Sequence, residues 1–368
     1  MRLRSRDHVI AGLLLGALAT ACSEQGPTPP VPLAVAATPA ALQLYGQGSH
    51  DGLITACQAK GYRQFDFFVG HWNVTPIRQD GTFGIPAKSI MEKELDGCVI
   101  EENWQGNARS INTYDPVLGT YNQQYLDAFG THLLLTGGIQ PDGVMKMTGT
   151  LFFFCSACPN GIFPEVHEWT WTPFTPDSVR QLQLKFNGFN GSPRGRGFEG
   201  HYKRAASVTL GPTPTSGPCT INPLFRQFDF AVGSWTISAG NALGVTESNG
   251  GAIAVEVTRE LGDCLIEEKV EGPGGYRGWS FSAWNQSEDV WVRTYVSNLG
   301  DRTFLKGTLQ GANLVLTGTR SVPGGTLQKV RVTFAPDGES RVRETWELSP
   351  DDGATYTTER ELVRIRKG

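Results

Sequence analysis

Short stretches of alternating hydrophobic and polar residues recur along most of the chain. Examples are "SVRQLQLKF" at 178–186 and "VWVRTYVSN" at 290–298. Such alternation, rich in β-branched and aromatic residues, is typical of strands in antiparallel sheets. Turn sequences such as "PDG" separate these stretches. Because many short strands leave sheet edges that must be hidden, the pattern predicts closure into antiparallel β-barrels.

The pattern is written twice along the chain. "RQFDFFVGHWNVT" at 63–75 returns as "RQFDFAVGSWTIS" at 226–238. "KELDGCVIEENWQG" at 93–106 returns in the same way as "RELGDCLIEEKVEG" at 259–272. The matches continue to the end of each copy, and gaps fall in Gly-, Pro- or Asn-rich stretches where loops tolerate changes of length. The repeat therefore predicts one domain duplicated.

The domain organisation follows from this repeat and from the composition of the 368 residues. We predict an all-β protein with two tandem lipocalin-like barrels after a signal and a tether. The predicted segments are a signal peptide at 1–22, a Pro/Ala-rich tether at 23–55, a first barrel at 56–205, a linker at 206–218 and a second barrel at 219–368.

The N-terminal segment predicts export. "MRLRSRDH" is positively charged, "VIAGLLLGALATA" is an apolar run too short for a convincing membrane span, and Cys22 follows small residues. This order resembles a bacterial lipoprotein signal, in which the cysteine carries lipid. By the same resemblance, Ser23 after the cysteine favours location in the outer membrane. The alternative is an ordinary secretory signal cut near Ala21, which would give a soluble periplasmic or secreted protein.

A family resemblance rests on the FDFxxGxW motif together with "DGCVIEENW". This combination resembles bacterial domain-of-unknown-function proteins whose fold is similar to lipocalin-like (calycin) barrels and, more loosely, to nitrobindins. The resemblance implies that Trp72 and Trp235 close one end of each barrel and that Gly70 and Gly233 let the backbone pass close. It implies no established reaction.

Six cysteines remain beyond Cys22, an even number that suits disulfide bonds in an exported protein. The duplication selects Cys57 with Cys98 and Cys219 with Cys264, since each pair occupies matching positions in its copy. The C-x-x-C formed by Cys155 and Cys158 lies in a hairpin insertion. A redox couple or half a zinc site is possible there, but no second motif completes zinc, so a local disulfide is favoured.

Strand alternation places mixed polar and aromatic side chains on single faces, which is typical of ligand pockets. The alternative interpretation is an outward surface or a satisfied internal Arg–Glu network, because alternation does not say which face points inward. The candidate lining residues are Glu102, Gln123, Tyr125 and Gln181 in the first copy, and Glu268, Arg293, Tyr295, Glu344 and Trp346 in the second.

Candidate catalytic chemistry is sparse. Glu101 and Glu102 are adjacent on a strand and point to opposite faces, so they do not form an acid–base dyad. All six histidines precede the second copy, which would suit an enzyme site in the first barrel: His8, His50, His71, His132, His167 and His201. The resemblance to nitrobindins offers His201 as a haem ligand, a minor alternative.

A net charge of −4 with no basic cluster outside the extreme ends of the chain argues against nucleic-acid binding. We therefore expect an envelope lipoprotein, held to the bacterial membrane by its lipid, that binds a small apolar ligand or serves a structural role. No metal or cofactor is expected. The alternative is an enzyme acting on a small molecule in the histidine-containing first barrel, or haem binding there.

Overall fold

The computed structural model describes residues 56–158, 161–238 and 253–368. These residues form twenty β-strands, arranged as two closed antiparallel barrels in tandem, as the sequence predicts. The signal peptide, Cys22 and the tether lie outside the described residues, as do His8 and His50.

Barrel 1 is an up-and-down barrel in which each strand pairs with its neighbours along the chain and β1 pairs with β10 to close the ring. Its strands are β1 Gly70–Pro76, β2 Ala87–Glu94, β3 Val99–Trp104, β4 Ala108–Asp115, β5 Thr120–Asp127, β6 His132–Ile139, β7 Met145–Phe154, β8 Ile162–Thr175, β9 Ser178–Asn187 and β10 Pro193–Ala205.

Barrel 2 repeats this topology, with β11 closing onto β20. Its strands are β11 Gly233–Ser238, β12 Ile253–Glu260, β13 Leu265–Glu271, β14 Arg277–Asn285, β15 Val290–Ser297, β16 Arg302–Gln310, β17 Asn313–Ser321, β18 Gln328–Pro336, β19 Arg341–Ser349 and β20 Thr357–Arg366.

Short helices precede the first strand of each barrel. In barrel 1 they are the 3-10 helices Ala56–Gln58, Lys60–Arg63 and Asp66–Phe68, and in barrel 2 the α-helix Pro218–Ile221 and the 3-10 helices Pro223–Arg226 and Asp229–Ala231. Two further 3-10 helices, Leu95–Gly97 and Pro273–Gly275, lie between strands.

The repeated FDFxxGxW sequence lies at one end of each barrel and plugs it. Trp72 is fully buried, and its indole Nε1 donates to the Phe68 carbonyl at 2.8 Å. Trp235 makes the equivalent bond to Ala231, also at 2.8 Å. Phe65 packs against this floor in edge-to-face contact with Trp171. Each barrel therefore has its own aromatic plug.

The glycine of the motif makes room for an arginine. Gly70 has a φ of +140°, and a Cβ atom there would lie 2.1 Å from Arg204 Nη1. The Arg204 guanidinium lies 4.3 Å from the Trp72 ring centroid, and Nη1 donates to the Val69 carbonyl at 2.6 Å. Gly70 therefore permits the close approach of an arginine side chain, and this side chain covers the outer side of the plug.

We expect Gly70→Ala to lower the free energy of unfolding by about 1–3 kcal/mol, because the variant is strained in φ and collides with Arg204. Urea unfolding followed by tryptophan fluorescence measures this loss. Gly143→Ala is the matched control, since Gly143 has a φ of +82° but no atom within 4 Å of the added Cβ. Equal losses in the two variants would show that the Arg204 contact is unimportant.

Three disulfide bonds are present: the two that the duplication predicts and the local bond favoured for the C-x-x-C. They join Cys57 to Cys98, Cys155 to Cys158 and Cys219 to Cys264. Cys98 and Cys264 immediately precede β3 and β13 instead of lying within those strands, so each bond ties the lead-in helices to the entry of a strand. The bond between Cys155 and Cys158 closes the tip of the β7–β8 hairpin.

A buried hydrophobic cluster joins the two barrels, while the interior of barrel 1 has a separate core. Val99 and Ile111 from the outer face of barrel 1 belong to the same buried cluster as Trp279 and Phe281 of barrel 2. At its edge, Arg109 donates to Glu267 across the interface at 2.7 Å and also pairs with Glu101. The first glutamate of each "EE" pair therefore serves the contact between barrels, while the second points into its own barrel.

Candidate ligand-binding site

Barrel 1 contains a cavity of about 240 Å³. Tyr121, near the start of β5, bonds the Tyr62 carbonyl in the lead-in helices, whereas Asp127 at the end of β5 lines the cavity. The cavity therefore lies toward the end of the barrel opposite the plug. The lining residues are Glu102, Trp104, Gln123, Tyr125, Asp127, Thr131, Leu133, Leu151, His167, Trp169, Gln181, Gln183, Phe198 and Tyr202.

All four residues that strand alternation proposed for the first copy line this cavity: Glu102, Gln123, Tyr125 and Gln181. The sequence analysis did not single out the aromatic Trp169 and Phe198. The alternation of His167, Trp169 and Trp171 in "VHEWTWTPF" was a signal that could have found the first of these. The residue Phe198 follows an irregularity in the β9–β10 register, so counting by twos does not predict its direction.

Glu102 is the most unusual group in the cavity because it is a buried carboxyl group with no cationic partner among the described residues. Ser89 Oγ donates to one carboxyl oxygen at 3.0 Å, and Ser110 Oγ donates to the other at 3.3 Å. Burial raises the pKa of Glu102 to about 7, and these two hydrogen bonds only partly oppose the shift. The group thus changes charge near neutral pH.

Amide and hydroxyl groups extend this polar patch along the cavity wall. Gln123 Nε2 donates to Asn112 Oδ1 at 2.9 Å and lies 3.4 Å from Ser110 Oγ. Tyr202 donates its hydroxyl hydrogen to Gln181 Oε1. Both amides are buried and partnered, so they present a fixed polar wall beside Glu102.

His167 lines the cavity from β8 and is held by partners on both ring nitrogens. Nε2 lies 3.0 Å from Glu165 Oε1, and Nδ1 lies 2.6 Å from Gln183 Nε2. Burial would raise the pKa of Glu165, but Lys185 and His167 hold it below its ordinary value. The ionised carboxylate accepts, so Nε2 carries the hydrogen and Nδ1 accepts from Gln183. Burial lowers the pKa of His167, which favours the neutral ring.

The other described histidines lie away from the cavity. His132 is buried near Lys306 of barrel 2, and burial lowers its pKa to about 3. His71 accepts from the Val208 amide, and the His201 side chain is about half exposed beside Glu199. The suggestion of His201 as a haem ligand is therefore wrong, because His201 alternates with the inward-pointing Tyr202 and lies on the outer face. Among the described histidines, only His167 lines the cavity.

Barrel 2 carries an ionic network where barrel 1 has its cavity. Glu268 accepts from Arg293 and from Arg364, each at 2.6 Å. Arg364 Nε also donates to Glu344 at 2.8 Å, and Trp346 Nε1 donates to the same carboxylate at 2.7 Å. Burial alone would raise the pKa of Glu268, but the two guanidinium groups lower it to about 2.

This network is the internal Arg–Glu arrangement that the sequence left as an alternative. Four residues proposed as ligand-binding in the second copy take part in it: Glu268, Arg293, Glu344 and Trp346. The fifth, Tyr295, pairs its hydroxyl group with that of Tyr276. The sequence analysis missed Arg364, although its alternation with Leu362 and Arg366 in "ELVRIR" marks it as a residue of a strand face.

The strand registers align the two interiors residue by residue. Glu102 pairs with Ser110 as Glu268 pairs with Ser280. Other matched pairs show that three members of the barrel 2 network have uncharged counterparts: Gln123 for Arg293, Gln181 for Glu344 and Tyr202 for Arg364. Barrel 1 therefore keeps the carboxyl group and lacks both cations.

We expect Glu102 to make the protein less stable as pH rises from about 4.5 to 7, because folding keeps this carboxyl group protonated above its unfolded pKa. The shift from 4.5 to about 7 corresponds to a contribution of about 3 kcal/mol from this group. Urea unfolding at pH 5 and pH 8 should show that Glu102→Gln removes this contribution from the pH dependence. The shifted pKa values of Glu101, His132 and His167 also make stability depend on pH, but these groups are present in both proteins and cancel in the difference.

Glu92→Gln, a change of an exposed glutamate on the adjacent strand β2, is the control for this measurement. It should leave the pH dependence of the wild type intact. A Glu102→Gln protein whose stability changes between pH 5 and 8 as that of the wild type does would contradict the assignment of this titration to Glu102.

No group of three or more His, Cys, Asp or Glu side chains in the described ranges is placed to hold a metal ion. Within the same ranges, no helix is long and apolar enough to cross a membrane.

Comparisons with known proteins find no matching family model and no matching curated protein. One similar solved structure is a protein of unknown function from the DUF3598 family of Nostoc punctiforme, with 9% identity and a TM-score of 0.20, covering 84% of this chain and all of the other. Another is a double mutant of transferrin binding protein B from Haemophilus parasuis, with 8% identity and a TM-score of 0.17, covering 81% and 75%. Neither likeness is close enough to carry a functional argument.

Proposed function

We propose that the protein is a ligand-binding module, in which barrel 1 holds a small, largely apolar molecule and barrel 2 is a scaffold. The observation that carries this proposal is the internal comparison. At matched positions, barrel 2 has the buried charged side chains Arg293, Arg364 and Glu344, whereas barrel 1 has uncharged side chains beside a cavity of about 240 Å³.

The composition of the cavity wall supports a ligand with an apolar body and a polar end. Trp104, Trp169 and Phe198 supply aromatic surface, with Phe198 lying 5.8 Å and 6.0 Å from the two tryptophan rings. Polar groups converge beside this surface at Glu102 and Gln123. Such a mixture is typical of small-molecule pockets.

One donor in the wall is unused by the protein. The Nε1–H group of Trp169 is buried and has no partner among the described residues. An unpaired buried donor costs roughly 1–3 kcal/mol. This nitrogen has no surface open to the cavity, so a ligand there meets the ring of Trp169 and not its N–H group.

Benzyl alcohol is a suitable probe, since it combines one aromatic ring with one hydroxyl group. Isothermal titration calorimetry should detect its binding to the full protein. The Gln183→Trp variant should not bind it, because Gln183 lines the cavity and its counterpart in barrel 2 is Trp346. Leu184→Trp, one position along β9, places the same ring on the outer face and should bind like the wild type.

Two results would overturn the proposal. One is equal binding of benzyl alcohol by the wild type and by a folded Gln183→Trp protein. The other is no binding by the wild type, combined with no small molecule in an organic extract of protein purified from its native host.

For location, we propose an exported lipoprotein held to the bacterial membrane through Cys22, as the N-terminal sequence indicates. Cys22→Ala should move the protein out of the membrane fraction, or stop its export, as measured by cell fractionation and immunoblotting. Ser23→Ala, which keeps the cysteine, is the control. Unchanged fractionation of Cys22→Ala together with an N-terminal peptide lacking lipid mass would favour the ordinary secretory signal.

A further inference from the structure

The interior of barrel 2 shows how a positively charged group can be bound inside a barrel of this fold. The guanidinium groups of Arg293 and Arg364 both bond the Glu268 carboxylate. They also lie 5.3 Å and 5.5 Å from the ring centroid of Phe334. A carboxylate combined with aromatic faces is the arrangement that stabilises a desolvated organic cation.

Barrel 1 retains the carboxyl group of this arrangement and lacks the internal cations. Glu102 stands in the place of Glu268. Trp171 stands in the place of Phe334, and its neighbour on the same strand face, Trp169, lines the cavity. Gln123 and Tyr202 replace the two arginines, and the cavity lies beside them. No lysine or arginine is among the described residues that line it.

Resting on the proposed function, we propose that the ligand of barrel 1 is a small organic cation, an amine or a guanidine, whose charged group meets Glu102 and whose body lies among Trp104, Trp169 and Phe198. The cation would stand where the arginine side chains of barrel 2 lie.

The size of the cavity limits the ligand to a small molecule. One substituted ring with a short cationic arm suits a cavity of about 240 Å³.

The electrostatics of the wall suit a positive charge. Besides Glu102, the titratable groups facing the cavity are Tyr125 and Asp127 from β5, His167 from β8 and Tyr202 from β10. Burial raises the pKa of both tyrosines, so they are neutral at neutral pH, and burial lowers the pKa of His167, which favours its neutral ring. Asp127 adds a further carboxyl group at the cavity wall. No lining group therefore repels a cation at neutral pH.

The proposal predicts the direction of the pH dependence of binding. A cation binds the ionised form of Glu102, whose pKa in the empty protein is about 7. Affinity for a cation should therefore rise from pH 6 to pH 8, whereas a neutral acceptor bound by the protonated carboxyl group would show the opposite trend.

The test compares benzylguanidine, benzylamine, benzyl alcohol and benzoate, which share one aromatic ring and differ in charge. Calorimetric titration of the full protein should give a Kd for the two cations at least tenfold lower than for benzyl alcohol, with benzoate weakest. Glu102→Gln should remove this preference while benzyl alcohol binding is retained. Glu92→Gln, on the exposed face of β2, should leave the preference unchanged.

Each alternative result is decisive. If benzyl alcohol or benzoate binds the wild type as tightly as the cations, the cation inference is wrong and the proposed ligand-binding function stands. The same holds if the preference survives in Glu102→Gln. If none of the four molecules binds, the cation inference is overturned, and the extract of native protein decides the broader function.

Discussion

Copying the barrel 2 network into barrel 1 should abolish ligand binding. The variant carries Gln123→Arg, Gln181→Glu and Tyr202→Arg, so the two new guanidinium groups can reach Glu102 as Arg293 and Arg364 reach Glu268. We expect the affinity for benzyl alcohol and benzylguanidine to fall at least about 100-fold, or about 2.8 kcal/mol. The arginines would occupy the cavity and neutralise the carboxylate. Calorimetric titration measures the loss.

A surface change separates this effect from a general effect of added charge. Asn122→Arg introduces arginine at the residue preceding Gln123, where the side chain points outward and bonds Thr136. Binding by this control should match the wild type. If the triple variant retains a cooperative thermal transition and still binds either probe with unchanged affinity, the binding site lies elsewhere.

Removing one arginine from the barrel 2 network should cause the largest loss of stability. Arg364→Met deletes a guanidinium group that bonds both Glu268 and Glu344 and leaves those carboxylates buried. Breaking one side of a buried ion pair costs about 3–5 kcal/mol, because the remaining charge stays desolvated. Urea unfolding of the full protein at pH 7 measures this loss.

The matched control is Arg343→Met, which removes an arginine from the adjacent strand β19. Arg343 pairs with Glu361 at 2.9 Å, but both side chains are about half exposed. Exposed pairs contribute about 0–1 kcal/mol, so the control should change stability little. A loss for Arg364→Met no larger than the loss for Arg343→Met would show that the buried network does not hold barrel 2 together.

Much of the fold could be predicted from the sequence because the relevant signals are local or repeated. Alternation of polar and apolar residues in segments such as 290–298 indicates strands, and the repeat of FDFxxGxW indicates two barrels. The same repeat gives the disulfide pairing, since equivalent cysteines in two copies of one fold must follow equivalent paths. These inferences need no knowledge of which strands meet across a barrel.

The candidate site was only half predictable. Alternation placed Glu102 and Gln123 on the mixed polar and aromatic strand faces of the first copy. It placed Glu268 and Arg293 on the equivalent faces of the second copy. It did not distinguish a cavity from a closed ionic network, because that difference depends on Tyr202 and Arg364. These two residues lie on the last strands of their barrels, about 100 positions away in sequence from the carboxylates that they face.

The sequence by itself determined the strands, the duplication and the chemical character of each strand face, because a side chain's direction along a strand alternates with a period of two. The tertiary structure alone decided which face lines the interior, that Arg109 joins Glu101 and Glu267 between barrels, and that only barrel 1 leaves its central carboxyl group without a cation. The physical reason is that burial and ion pairing depend on groups brought together by barrel closure. Their proximity in space has no counterpart in the local order of the chain.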